Sequence, residues 1–167
     1  MKLFKVSAIL TLVLLISTSF TPALVKVKNT NPKTESELKW LGFNEGYSLA
    51  KKKNKIMLVD VYTDWCGWCK RMDRDTYTKA EIIESLNKDF VVIKFNPEVQ
   101  NMSYEFEGKK YDGQQLAGVI SNYQINGYPT TIFIHPKTKK TNVLSGYYDA
   151  TRFRGVLDAI KEDFAKK

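Results

Sequence analysis

Between Trp40 and Phe164 the hydrophobic residues switch between two spacings, and the switches mark out the elements. ELKWLGF, around Trp40, suits a short strand or edge segment. Phe43, Tyr47 and Ala50 then recur at helical spacing and run into KKKNK, whose cations suit a helix C-terminus. KIMLVDVYT is a short, nearly continuous apolar run rich in β-formers, which predicts a central strand covered on both faces. GWCKRMDRD predicts a helix, followed by KAEIIESLNKD with Ile82, Ile83 and Leu86 on one side. FVVIKFN (90–96) predicts a second central strand, whereas residues 97–111 carry no helical period.

Asp112 is placed to cap a helix with Leu116, Val119, Ile120 and Tyr123 on one side. PTTIFIH (129–135) and TNVLSGYY predict two strands joined as a hairpin across the turn PKTKK. Phe153, Val156, Leu157, Ile160 and Phe164 form the clearest helical stripe in the chain. Helices that alternate with strands before a closing hairpin and helix imply an α/β protein. Its mixed central sheet should carry helices on both faces.

The first residues follow a different pattern. Lys2 and Lys5 precede the apolar run VSAILTLVLLI and then the small and polar STSFTPA. That order reads as a secretory signal over residues 1–23, with an uncleaved anchor as the alternative. The apolar run is shorter than the roughly 20 residues that span a bilayer. Residues 24–36 are polar and aperiodic and read as a linker, leaving 37–167 as one domain. Loss of residues 1–23 removes two lysines and no acid, so the net charge of +8 becomes +6. No basic stripe is interleaved with aromatics, and the charge reads as a solvated surface rather than a nucleic-acid groove.

VDVYTDWCGWCKRM (59–72) contains the chain's only two cysteines, Cys66 and Cys69. Three readings compete. As a staple, a bridge closing about four residues gains only roughly 2 kcal/mol in the chain-entropy model. As a metal site, two thiols and one histidine fall short of the ligands zinc needs, unless two chains share it. His135, before a proline at a strand end, reads as a surface residue. Lys70 stands where haem attachment would require a histidine. As a redox centre, the pair fits by position. A strand ending near Thr63 and a helix starting near Cys66 put the first sulfur at a helix N-terminus, which favours a thiolate. Cys69, one turn on, should lie beneath it and be less exposed. Cys66 can then attack a disulfide, and Cys69 can resolve the mixed disulfide.

VDVYTDWCGWCK together with GYPTTIFI closely resembles the thioredoxin superfamily, in particular exported thioredoxin-like members with two tryptophans around the motif. The resemblance runs from about Trp40 to Phe164 and implies a thioredoxin-like sheet of four to five strands. It also implies roles. Asp60 matches a buried carboxylate that exchanges protons with the resolving thiol, the alternative being a capping aspartate at a strand end. Lys94 matches a supporting lysine beside that carboxylate, or else simply faces an edge. Pro129 matches a cis-proline that faces the cysteines and frees the backbone of Tyr128 to pair with substrate; an ordinary trans-proline opening a strand is the alternative. Trp65, Trp68 and Tyr128 would form an apolar rim, and Gly146 would allow close backbone approach or merely turn the hairpin.

Two features depart from the family's usual pattern. Trp68 occupies a position that is typically proline, which leaves the direction of electron flow open. Residues 97–111 exceed the usual connection and form either a specificity loop or a plain surface insertion. The resulting expectation is an exported, periplasmic, monomeric reductase or isomerase of protein disulfides that needs no cofactor and no metal. A membrane-bound thiol reductant would supply its electrons. A non-catalytic peptide-binding module and a redox partner dedicated to cytochrome maturation are the alternatives.

Overall fold

A computed structural model describes residues 37–166; the expected signal and linker, residues 1–36, lie outside the described residues. Helix α1 (Phe43–Lys53) is followed by strand β1 (Ile56–Val61), helices α2 (Gly67–Asp75) and α3 (Ala80–Asp89), and strand β2 (Phe90–Phe95). A small hairpin, β3 (Tyr104–Phe106) and β4 (Lys109–Tyr111), leads into α4 (Gly113–Ser121). Strands β5 (Thr130–Ile134) and β6 (Thr141–Ser145) then precede α5 (Ala150–Ala165).

The main sheet has the order β2-β1-β5-β6, with β1 parallel to β2 and the other pairs antiparallel. Alternation along the strands divides the core in two. Met57, Val59, Val61, Ile93 and Ile132 face one layer with Phe43, Leu116 and Ile120 of α1 and α4. Leu58, Val92 and Phe133 face the other, with Met72 of α2, Ile82 and Leu86 of α3, and Phe153 and Leu157 of α5. The mixed sheet with helices on both faces is therefore as the periodicity implied. The same alternation puts Asp60 in register with Lys94 and Thr131 and on the α2 side, two residues beyond Leu58.

Three details differ from the sequence reading. β2 is the edge of its sheet rather than a central strand. Among the described residues, its outer side meets only the backbone of Leu41, which donates to the Val92 carbonyl at 3.1 Å and accepts from the Lys94 N–H at 3.0 Å. The strand reads as central because helices bury both of its faces, which composition cannot distinguish from having two neighbours. The segment around Trp40, expected as a short strand or edge segment, is the latter, a single bridge at Leu41. Residues 97–111 are partly regular: β3 and β4 pair, and Tyr104 and Phe106 are buried against Phe43 of α1. Three-residue strands are too short for a period to register. Lastly, Tyr123 does not continue the apolar side of α4. The helix ends at Ser121 with Asn122 and Tyr123 in left-handed conformations, and the Tyr123 side chain is exposed.

Candidate active site

Cys66 stands at the N-cap of α2. The strand-to-helix turn is fixed by Cys66 N–H donating to the Thr63 carbonyl at 3.1 Å. The Cys66 Sγ in turn accepts the Cys69 backbone N–H at 3.1 Å. One unpaired donor of the helix start is thus aimed at the first sulfur, the geometry that stabilises negative charge there. The two cysteines form a disulfide. The expected difference in exposure between them is absent in this oxidised state, with Cys66 4% and Cys69 3% exposed.

Beneath the motif lies a polar cluster inside an otherwise apolar layer. Cys69, Met72 and Asp73 share one face of α2 at i, i+3 and i+4 spacing, and Asp60 lies on the sheet face that α2 covers. The Lys94 ammonium bridges Asp60 Oδ2 and Asp73 Oδ1. It also lies 4.8 Å from the Trp40 ring centroid and 5.1 Å from that of Tyr62. Burial pushes the Asp60 carboxyl above the usual carboxylate range. Lys94 opposes this without cancelling it, and Asp73 adds to it. Burial works to lower the Lys94 pKa, but its two carboxylates outweigh that and hold it above its ordinary value. Burial, then the Asp60 charge, raises the Tyr77 hydroxyl well above its usual range. Asp60 Oδ1, Thr63 Oγ1, Tyr77 OH and Thr131 Oγ1 are buried and lack a partner at hydrogen-bonding geometry among the described residues, although the Tyr77 hydroxyl lies near enough to Asp60 and Thr131 to affect their titration.

Of the remaining predicted residues, Trp65 and Trp68 flank Cys66 in sequence and are exposed, Tyr128 is half-buried and Pro129 is buried. Trp65 and Trp68 are 67% and 54% exposed, an unusual extent for indoles. Trp65 packs edge-to-face against Tyr128 at 5.8 Å, and Trp68 lies against Tyr147 at 5.4 Å. The Tyr128–Pro129 peptide is cis. The Pro129 carbonyl accepts the Gly146 N–H at 2.8 Å, and Gly146 has φ +90°, a conformation open to glycine at little cost. The structure brings Asp60 together with Lys94, and Trp65 together with Tyr128, whereas Trp68 belongs to a separate pair. Sequence reasoning missed Asp73, Tyr77, Glu98, Arg71 and Tyr147. Asp73 was detectable from its place four residues after Cys69 on one helix face; nothing in the local sequence marks Glu98.

A family model of the thioredoxin-like domain matches residues 43–161. The chain belongs to the thioredoxin-like family. With its redox-type cysteine pair it is a thiol–disulfide oxidoreductase in class. It is 26% identical over 106 residues to the thiol:disulfide interchange protein DsbD of Pseudomonas fluorescens, covering 62% of this chain and 16% of that protein. It is 27% identical over 116 residues to DsbD of Citrobacter koseri, covering 66% and 17%. The chain thus spans about one sixth of the length of the curated relatives it matches. Among solved structures, a thioredoxin from Thermus thermophilus superposes with a TM-score of 0.59 at 22% identity, over 74% of this chain and 87% of that one. The C-terminal domain of Neisseria meningitidis DsbD in its reduced form gives 0.51 at 16% identity, over 68% and 89%. These structural likenesses concern the fold.

Proposed function

We propose that the chain is an exported reductase or isomerase of protein disulfides that works through Cys66 and Cys69. The observation that carries this is the Cys66 sulfur at the α2 N-cap, receiving the Cys69 N–H, in a family that exchanges thiols and disulfides. In the reduced protein the Cys66 thiolate attacks a substrate disulfide. One Cys66–substrate S–S bond forms, the substrate bond breaks, and the departing substrate sulfur takes up a proton. The Cys69 thiol then passes its proton to Asp60 and attacks Cys66 Sγ. This closes the Cys66–Cys69 disulfide and expels the second substrate sulfur as a thiolate, which takes up a proton as Asp60 returns its own to solvent. Two electrons have moved from the protein to the substrate.

Asp60 suits the proton step for two physical reasons. Its raised pKa brings a carboxyl toward the working range of a base at neutral pH, and Oδ1 is unengaged. Lys94 acts as the supporting group that keeps the carboxylate tolerable when it is charged. Trp65, Trp68, Tyr128 and Pro129 bind substrate, as an apolar rim and a backbone edge to which an extended chain can add. The disulfide is reopened by a membrane-bound thiol reductant. The N-terminal charge and hydropathy pattern supports export to the periplasm. Among the described residues no helix is long and apolar enough to cross a membrane.

The test is turnover of insulin disulfides with dithiothreitol by the parent and by Cys66→Ser. The oxidoreductase reading expects loss of catalysis to the uncatalysed rate. A variant that retained full activity would leave a peptide-binding module as the better account.

A further inference from the structure

The two ends of the main sheet differ in charge. β1 starts at Ile56 and runs toward the cysteine motif, while β5 runs the opposite way and pairs Ile134 with Met57. The turn between β5 and β6 therefore lies beside the start of β1, at the end remote from the disulfide. Lysines gather there. Lys51, Lys52 and Lys53 close α1, Lys55 immediately precedes β1, and Lys137, Lys139 and Lys140 occupy the β5–β6 turn. Side-chain geometry joins these elements into one face. Lys39, Lys53 and Lys55 line one cavity together with Glu45. Lys55 also lines a second cavity with Pro136 of the turn and Lys161 of α5. The ammonium groups of Lys51 and Lys139 lie 5.1 Å and 5.2 Å from the Tyr47 ring centroid.

Carboxylates neutralise only part of this charge. Lys139 pairs with Glu107, Lys140 with Asp163, and Lys161 with Asp89 and Asp158. Among the described residues no carboxylate pairs with Lys39, Lys51, Lys52, Lys53, Lys55 or Lys137; Lys55 donates instead to the Asn87 carbonyl at 3.0 Å. The face holds no arginine. Arg71, Arg74, Arg152 and Arg154 all lie on α2 or the first two turns of α5. An ammonium on a flexible stem is a hydrated point charge. It suits a fluid layer of phosphates better than one fixed bidentate contact, which favours a headgroup surface over a nucleic-acid or peptide site. The chain upstream also joins the domain at this end, where the Glu37 carbonyl accepts from Asn87 Nδ2 at 3.3 Å. Lys26, Lys28 and Lys33 precede it in sequence, against one acid, Glu35.

We propose that this lysine face docks on the anionic headgroups of a phospholipid bilayer and holds the disulfide away from the membrane. The six residues of β1, at ~3.3 Å each, set the motif about 20 Å from the face. Trp65 and Trp68 then stay in the aqueous phase, where soluble partners reach them. The inference stands apart from the disulfide chemistry proposed above, because it concerns the opposite end of the sheet. Each lysine held near an anionic surface strengthens binding by about fivefold, so three together contribute about a hundredfold.

The experiment sediments the full chain with vesicles of phosphatidylcholine alone or with phosphatidylglycerol added. Binding to the neutral vesicles measures what the N-terminal apolar run contributes. The anionic vesicles should bind about a hundredfold or more tightly, and the preference should vanish in ~1 M salt, where the screening length falls to about 3 Å. Lys39→Gln/Lys53→Gln/Lys137→Gln, three exposed positions on the face, should lose about a hundredfold. Lys70→Gln/Arg74→Gln/Arg152→Gln removes the same charge from exposed positions on α2 and α5 and should lose less than about fivefold. Far-ultraviolet circular dichroism checks that both variants are folded. Trp65 and Trp68 should remain open to acrylamide quenching in the bound protein. Equal binding to both kinds of vesicle, a preference that survives salt, equal losses in the two variants, or tryptophans shielded on binding would overturn the proposal. Tighter binding to a DNA duplex than to the anionic vesicles would overturn it as well.

Discussion

Replacing Asp60 by asparagine should make the oxidised protein more stable at pH 8, although it removes one side of a buried ion pair. The Asp60 side chain is 2% exposed, Oδ1 has no partner, and the Lys94 ammonium on Oδ2 is shared with Asp73. Burial outweighs that attraction, so the folded-state pKa lies above the unfolded value near 3.9. The folded protein therefore holds this proton more tightly than the unfolded chain does. The stability gained this way is complete below the unfolded pKa and is lost as pH rises through the folded one. Each unit between the two values corresponds to about 1.4 kcal/mol. Asparagine does not ionise and escapes the loss. Stripping a partner from a fully buried charge costs about 3–5 kcal/mol, but Lys94 keeps Asp73 and leaves 20% of its side chain in solvent, which reduces that cost. The expected balance is a gain in stability at pH 8 that shrinks toward pH 4. Asp75, Glu107, Asp158 and Asp163 have lowered pKa values and lose stability in acid, but they do so in both proteins and cancel from the difference. Guanidinium unfolding of both proteins from pH 4 to 8, read by far-ultraviolet circular dichroism, measures it. A variant less stable than its parent at pH 8, or a difference that does not change with pH, would refute the reasoning.

The same substitution should slow insulin reduction by about tenfold or more, the low end of general acid–base effects being about a hundredfold, while leaving the first attack of Cys66 on a small alkylating agent nearly unchanged. Equal insulin turnover would remove Asp60 from the proton step. In the reduced protein iodoacetamide should modify Cys66 before Cys69, because the α2 N-terminus favours the Cys66 thiolate; mass mapping of the first adduct decides, and an adduct on Cys69 would reverse the roles. Gly113→Ala should destabilise the fold by about 1–3 kcal/mol. A Cβ there would strike the Pro97 backbone carbonyl, which joins the 97–111 segment to the start of α4, and unchanged thermal unfolding would show that this junction yields freely.

Much of the fold was legible because its long elements have strong periods. Phe43, Tyr47 and Ala50, and likewise Phe153, Leu157 and Ile160, are buried as their spacing predicts. The motif helix and its N-cap cysteine followed from a strand running directly into GWCKRMDRD. What stayed hidden depends on contacts distant in sequence. No local pattern reveals that Lys94 reaches both Asp60 and Asp73, or that Glu98 returns to Trp65 across 33 positions. The β3–β4 hairpin escaped because strands of three residues cannot establish a period, and its burial comes from α1. The expected difference in exposure between Cys66 and Cys69 concerns the free thiols, whereas in the disulfide both residues are buried.

The central claim is that Cys66 and Cys69 form a redox couple and not a staple. Equilibrating the protein with graded dithiothreitol and glutathione buffers, then trapping free thiols and counting them by mass, tests it most directly. The account predicts one reversible two-electron transition between about −180 and −270 mV, the span from isomerase to reductase. A pair that stays oxidised until the protein unfolds would contradict the redox reading, and a transition near −120 mV would contradict the reducing direction.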